Sequence, residues 1–179
     1  MKTFISKLRN KYFFTAFNIV MLFGVLTIHA QTAQDEQDVK TRVDLMVADW
    51  NTHDFKNMES YATSDVEWVN IVGMYWRGLP QVKMSHQAIF DAIFKNVPFT
   101  KKEVFVRFIT PDVAVTTLLC HVGAFFPPDG VDRGNNKRPE TDDLLTMVFV
   151  KKNNKWLLTA GQNTVVDEYA QRVNPAKKQ

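Results

Sequence analysis

A few residues in this sequence pair a group that can hold or move a proton, or orient an oxygen, with an apolar setting. His86 falls four residues after Val82 and three and four before Ile89 and Phe90. That spacing puts its imidazole on the apolar stripe of a helix. An imidazole titrates near neutrality and can act there as a general acid or base. The alternative is a core histidine hydrogen-bonded to a neighbour such as Asn70 or Gln162. Asn70 alternates with Val66, Trp68 and Val72 on one face of an extended stretch. A carboxamide among apolar groups must find a partner or serve a ligand. It would orient a substrate carbonyl or hydroxyl beside the flat wall of Trp68, or it bridges backbone groups before a turn at Gly73. Trp76, past that turn, belongs to the same wall.

Further along, Gln162 and Asn163 are adjacent in a strand-like run, so one of them faces a pocket and the other faces away. Strict alternation groups Gln162 with Trp156, Leu158 and Ala160, and Asn163 with Leu157, Thr159 and Gly161. His121 ends another strand-like run, at the expected pocket edge, beside the single cysteine, Cys120. The two point to opposite faces and cannot share a metal ion. Cys120 reads as a small buried residue. Among carboxylates, Glu67 faces away from Trp68 and Asn70. Asp142 and Asp143 open a strand next to a long loop and read as a solvated pair. No carboxylate has an evident setting that would raise its pKa.

The elements that must position these groups follow from periodicity. Val39, Val43, Met46, Val47 and Trp50 make one helical stripe over about 35–51. Asp54 starts a short second helix to about Tyr61. The stretch 65–78 is a hairpin turning at Gly73. Pro80 suits the first turn of a third helix running to about Asn96. Then come strands over about 102–109, 113–122, 141–151 and 155–166, with a long exposed loop from Phe125 to Glu140. Helices first and an antiparallel meander after them is an α+β pattern. Three amphipathic helices in the hollow of a bent sheet leave a cone open at one end.

The 179 residues divide into a leader, one domain over 31–170 and a polar tail over 171–179. Lys2, Lys7, Arg9 and Lys11 precede an apolar run from Tyr12 to Ile28, and Ala30 offers a small residue for cleavage. Residues 1–30 therefore read as a secretory signal peptide, and the protein as exported to the periplasm or beyond. Any membrane contact would come through an uncleaved leader. The whole chain carries a net charge of +3; without the leader, 18 basic residues face 19 acidic ones, a net of −1. A near-neutral domain does not suit a nucleic-acid partner. There is no Gly-x-Gly-x-x-Gly fingerprint, no Cys/His metal spacing and no nucleophile motif, so neither a cofactor nor a metal is expected. The expected partner is a small molecule.

Several pieces in order resemble a known family: Trp50-Asn51-Thr52-His53-Asp54; Asp65-Val66-Glu67-Trp68-Val69-Asn70 with Gly73 and Gly78; His86; Pro111-Asp112-Val113-Ala114-Val115; and Lys155-Trp156 with Gly161-Gln162-Asn163-Thr164. The chain resembles the SgcJ/EcaC-type, SnoaL-like branch of the nuclear transport factor 2-like superfamily over about residues 35–166. The resemblance implies a nuclear transport factor 2-like cone, with three helices in a curved, mixed, mostly antiparallel sheet, and a homodimer formed through that sheet. It implies isomerase-, cyclase- or dehydratase-like acid/base work; the alternatives are ligand binding without turnover and a structural homodimer whose hollow is filled by its own side chains. His86 and Asn70 would be the catalytic pair. Trp68, Trp76, His121, Gln162 and Asn163 would contact the ligand. The superfamily's isomerases and cyclases use an inward Asp or Glu as proton shuttle, and no residue here reads plainly as that group.

Overall fold

A computed structural model describes residues 33–177. The expected leader, 1–30, lies outside the described residues. The chain divides into a unit of residues 1–37 and a unit of residues 38–179. Of the first, residues 33–37 are described and are helical. The second unit carries the fold.

In that unit residues 38–52 are helical (α1). Val39, Val43, Met46 and Trp50 are buried, as their spacing requires. The expected second helix is instead one 3-10 turn, Met58–Ser60. Its apolar residues, Phe55, Met58 and Tyr61, recur every third position and are all buried. A spacing of three suits a 3-10 turn, which stacks residues i and i+3, better than an α-helix.

Strand β1 (Ala62–Val69) meets β2 (Tyr75–Arg77) in an antiparallel hairpin. Helix α2 (Leu79–Asp91) follows, with Pro80 in its first turn. It ends five residues before the expected Asn96. The Phe94 amide reaches back to the Ile89 carbonyl (3.1 Å), a wider loop than the helical one. Phe94 thereby joins a cluster with Phe90, Phe99 and Phe125, at ring distances of 5.4, 5.6 and 4.9 Å. Tertiary packing here overrides local propensity.

Four long strands complete the sheet: β3 (Phe99–Thr110), β4 (Val113–Val122), β5 (Thr141–Lys152) and β6 (Lys155–Val165). The strand order is β2-β1-β6-β5-β4-β3. All neighbours are antiparallel except β1 and β6, which run parallel. The result is the expected α+β cone with a curved, mixed sheet. Register shifts interrupt the β3–β4, β5–β6 and β1–β6 ladders. Such irregularities bend strands and help the sheet curl.

The irregularity in β6 changes which side chains face inward. Val148 pairs with Ala160, yet Phe149 pairs with Leu158, leaving Thr159 as the extra residue. An extra residue inverts the alternation beyond it. Trp156 and Leu158 are buried on the inner face before the bulge, and Gly161 is buried after it. The grouping of Gln162 with Trp156 and Leu158 is thus corrected: Asn163, not Gln162, shares their face. Beyond β6 the chain continues into the polar tail. Helix α3 (Glu168–Arg172) leads into it, capped by Asp167, whose Oδ1 accepts from the Ala170 amide (2.7 Å), and a 3-10 turn, Pro175–Lys177, lies within it.

Candidate functional site

The open end of the cone holds a cavity of about 310 Å³. Its walls come from the end of α1 (Trp50), the β1–β2 hairpin (Trp68, Asn70, Trp76) and α2 (His86, Ile89, Phe90). The long loop adds Phe125, Arg138 and Pro139, and the inner sheet face adds Val122, Asp143, Asn163 and Val165. Most of this lining is apolar or aromatic, with few polar atoms set into it.

Helix α2 turns His86 inward, and the residue is buried. Trp76, Trp68 and Phe55 surround the imidazole at ring distances of 5.1, 5.2 and 5.5 Å. Its Nδ1 lies 2.9 Å from the Val82 carbonyl, one helical turn back. A carbonyl only accepts, so Nδ1 carries the hydrogen and Nε2 keeps the ring's lone pair. Burial pushes the pKa down from 6.5 to about 4, although the Val82 bond favours the charged form. At neutral pH His86 is therefore a neutral ring that can accept a hydrogen bond.

Asn70 follows β1 and shapes the turn. Its Oδ1 accepts from the Val72 (3.1 Å) and Met74 (2.8 Å) amides. Its backbone N–H donates to Met74 and its carbonyl accepts from Gly73, both at 2.9 Å. Gly73 has the positive φ (82°) that this turn needs. Val72, expected inward, sits in the turn and is largely exposed. With Oδ1 engaged in the turn, the Asn70 Nδ2 donors have no hydrogen-bond partner among the described residues and remain for the cavity.

Asp143, expected to be solvated beside Asp142, faces inward instead, because alternation along β5 puts it on the core side. It is buried, lines the cavity and follows the inward parity of Leu145, Met147 and Phe149 on β5. Thr141 donates to its Oδ1 (3.1 Å), and Oδ2 has no hydrogen-bond partner among the described residues. Desolvation raises its pKa above the ordinary 3.8, the negative charge of Asp142 adds to the rise, and the Thr141 bond opposes it. Asp142, one residue earlier, points to the outer face. Lys102 Nζ donates to its two oxygens at 2.7 and 2.8 Å, and His121 Nδ1 lies 3.0 Å away. The Lys102 bond, then the His121 bond, hold the Asp142 carboxyl below its usual range.

Of the residues singled out from sequence, His86, Asn70, Trp68, Trp76 and Asn163 line this one cavity. The Asn163 Oδ1 is buried without a hydrogen-bond partner. Two others do not line it. His121 faces the outer side of β4 and is held between Asp142 and Glu140, whose Oε2 lies 3.7 Å from Nε2. Gln162 is exposed on the outer face because of the bulge. Cys120 is buried behind Asp143, and burial pushes its thiol up to about 12. Arg138, which the sequence reading left within an exposed loop, stands at the cavity rim. Among the described residues no group of three or more His, Cys, Asp and Glu is placed to hold a metal ion.

Comparison with known proteins places this geometry in a wider group. A family model described as a SnoaL-like domain matches residues 39–166. An uncharacterised protein with a cystatin-like fold from Caulobacter vibrioides is 27% identical, with a TM-score of 0.74 over 80% of this chain and 98% of that one. A nuclear transport factor 2-like superfamily protein from Salmonella enterica is 13% identical, with a TM-score of 0.62 over 76% and 94%. A type 2 hexachlorocyclohexane dehydrochlorinase is 9% identical, with a TM-score of 0.65 over 76% and 88%. The last two show a shared fold. No curated protein matches the sequence.

Proposed function

The chain belongs to the SnoaL-like domain family, and from that premise we propose that its cavity binds a small, largely apolar molecule and moves a proton on it. Asp143 is the base. Its Oδ2 takes a proton from a carbon next to a carbonyl. Asn70 Nδ2 donates a hydrogen bond to that carbonyl oxygen as charge builds there. His86 accepts through Nε2 from a substrate hydroxyl and orients it. Returning the proton to another carbon would be isomerisation; losing a leaving group would be elimination. Dehydrochlorination by the protein of the same fold noted above is a reaction of the second type.

One observation carries this reading: a buried carboxylate, raised in pKa, opens onto an apolar cavity. Desolvation strengthens a carboxylate as a base, which is what abstraction from carbon needs. The test is proton exchange in D2O, followed by NMR, on a panel of apolar ketones that the protein binds. The wild type is expected to catalyse exchange at the carbon next to the carbonyl. Asp143→Asn should lose about 100-fold or more while still binding. Binding without exchange in the wild type would remove the catalytic reading. It would leave a ligand-binding module, which the engagement of Asn70 Oδ1 in its own turn favours.

Two companion proposals rest on less. Export rests on the pattern of residues 2–30, and intact mass after expression with the leader should give a mature chain starting near Gln31. A homodimer formed through the outer sheet face rests on the exposed Phe105 and Ile109 on β3. Sedimentation would report twice the chain mass, and a monomer at micromolar concentration would refute it.

A further inference from the structure

We infer that the cavity's ligand is an organic anion, an apolar body ending in a carboxylate or similar oxyanion, and that Arg138 recognises the charged end. The inference rests on the cavity being a ligand site and adds the class of ligand.

Arg138 is held at the rim by backbone. Its N–H donates to the Phe125 carbonyl (2.8 Å), and the Phe125 N–H donates to its carbonyl (3.1 Å). Phe125 is in turn fixed by its ring contact with Phe94 at 4.9 Å. Pro139 stiffens the next step of the chain. The loop thus keeps this position on the lining of the cavity.

Three nearby cations have acceptors, and Lys137, which makes no ion pair among the described residues, does not line the cavity. Arg133, in the same loop, makes a two-pronged pair with Asp129 at 2.8 and 2.7 Å. Lys102 pairs with Asp142, and Lys101 with Asp44. The Arg138 guanidinium makes no hydrogen bond or ion pair among the described residues. The closest acid in sequence, Glu140, lies instead beside His121 on the outer face. Asp143 lines the same cavity and forms no ion pair with it. A guanidinium left open at an apolar cavity offers a planar fork of donors that fits a carboxylate.

Charge also fixes the direction of entry. A ligand carboxylate would repel the Asp143 carboxylate, so the charged end stays at the rim with Arg138. The apolar body then lies against Phe94, Phe99 and Phe125, and the uncharged end reaches the His86 and Asn70 side.

The test uses two probes of similar shape, 2-naphthoate and the uncharged 2-acetylnaphthalene. Binding is read by calorimetry and by the fluorescence of the cavity tryptophans. The wild type should bind 2-naphthoate about tenfold or more tighter. Arg138→Gln should remove that preference by weakening 2-naphthoate binding, whereas Lys137→Gln should preserve it. Raising salt to 0.5 M should erode the preference, because a rim charge is screened. Equal binding of the two probes by the wild type, or a preference that survives Arg138→Gln, overturns the anion assignment and leaves the cavity reading standing. Failure of the wild type to bind either probe overturns both.

Discussion

Gly161 gives the most direct check on how the cavity wall is built. The Trp68 indole lies over this residue, its partner across the parallel β1–β6 ladder. A Cβ at position 161 would collide with Cε3 and Cζ3 of Trp68 and stand 2.9 Å from Cη2. Carbon atoms settle at about 3.5–4.0 Å, so Gly161→Ala forces the ring back by roughly 1 Å or more. The ring is not free to swing. Trp50 meets it edge-on at 6.4 Å and His86 at 5.2 Å. The yielding side is the cavity. Overpacking of this kind costs about 1–3 kcal/mol, or roughly 3–10 °C in Tm for a chain of this size. The affinity for the neutral naphthyl probe should also fall, because the displaced ring takes up room in the cavity. The assays are thermal unfolding followed by circular dichroism, and probe binding. Trp68→Leu removes the colliding atoms, so the double variant should be less destabilised than the two single costs predict together. A Gly161→Ala protein with wild-type Tm, near-ultraviolet dichroism and probe affinity would show that the indole does not rest on this glycine.

Other expectations concern the polar groups. The pKa of Asp143 is raised on folding, so its neutral form contributes stability that is present at and below pH 3.8 and lost as pH rises through the folded value. Asp143→Asn should therefore melt higher than the wild type at pH 7, with the difference shrinking towards pH 4; a lower Tm at pH 7 would refute the burial argument. His86 has the opposite sign, since its depressed pKa supplies stability above pH 6.5 that is lost as pH falls towards about 4. Its ring resonances should stay those of a neutral imidazole from pH 8 to 5.5, and titration near 6.5 would contradict the buried setting. Asn70→Ala removes two hydrogen bonds from the β1–β2 turn and should cost about 1–3 kcal/mol in urea unfolding. Asn70→Asp keeps the acceptor but not the donors, so it should retain most of that stability while weakening ketone binding; equal stability loss in both variants would refute the assigned role of Oδ1.

How far the sequence foretold the molecule depended on the range of the interaction. The stripe from Val39 to Trp50 and the alternation of β3 are local patterns, and both elements formed where the patterns lay. His86 and Trp68 followed from the same periodicities. The face of Gln162 did not, because one bulged residue at Thr159 inverts everything after it. No composition signal marks that bulge; it arises where β6 must pair with β5 on one side and with the parallel β1 on the other. Helix α2 likewise stopped early for a tertiary reason, the docking of Phe94 among aromatic rings from β3 and the loop. Arg138 became a rim residue through a backbone bridge to Phe125, thirteen positions earlier.

Asp143 shows a sharper limit. Its inward parity was readable by counting back from Phe149, Met147 and Leu145. Its surroundings in sequence, Glu140 to Asp142, nonetheless suggest solvent. Two adjacent carboxylates on a strand must face opposite ways, so composition describes the pair while register assigns each member its chemistry. On β4, His121 sits across from Asp142 and Cys120 across from Asp143. The outer acid therefore gains Lys102 and an imidazole and stays ionised. The inner one meets an apolar hollow, whose desolvation favours its protonated form against the pull of the Thr141 hydroxyl. A slip of β5 by one residue would exchange the two environments and turn Leu145 and Met147 out of the core. The burial of those two side chains is thus what holds this carboxylate in the cavity, and the acid/base role proposed for Asp143 rests on core packing two and four residues away.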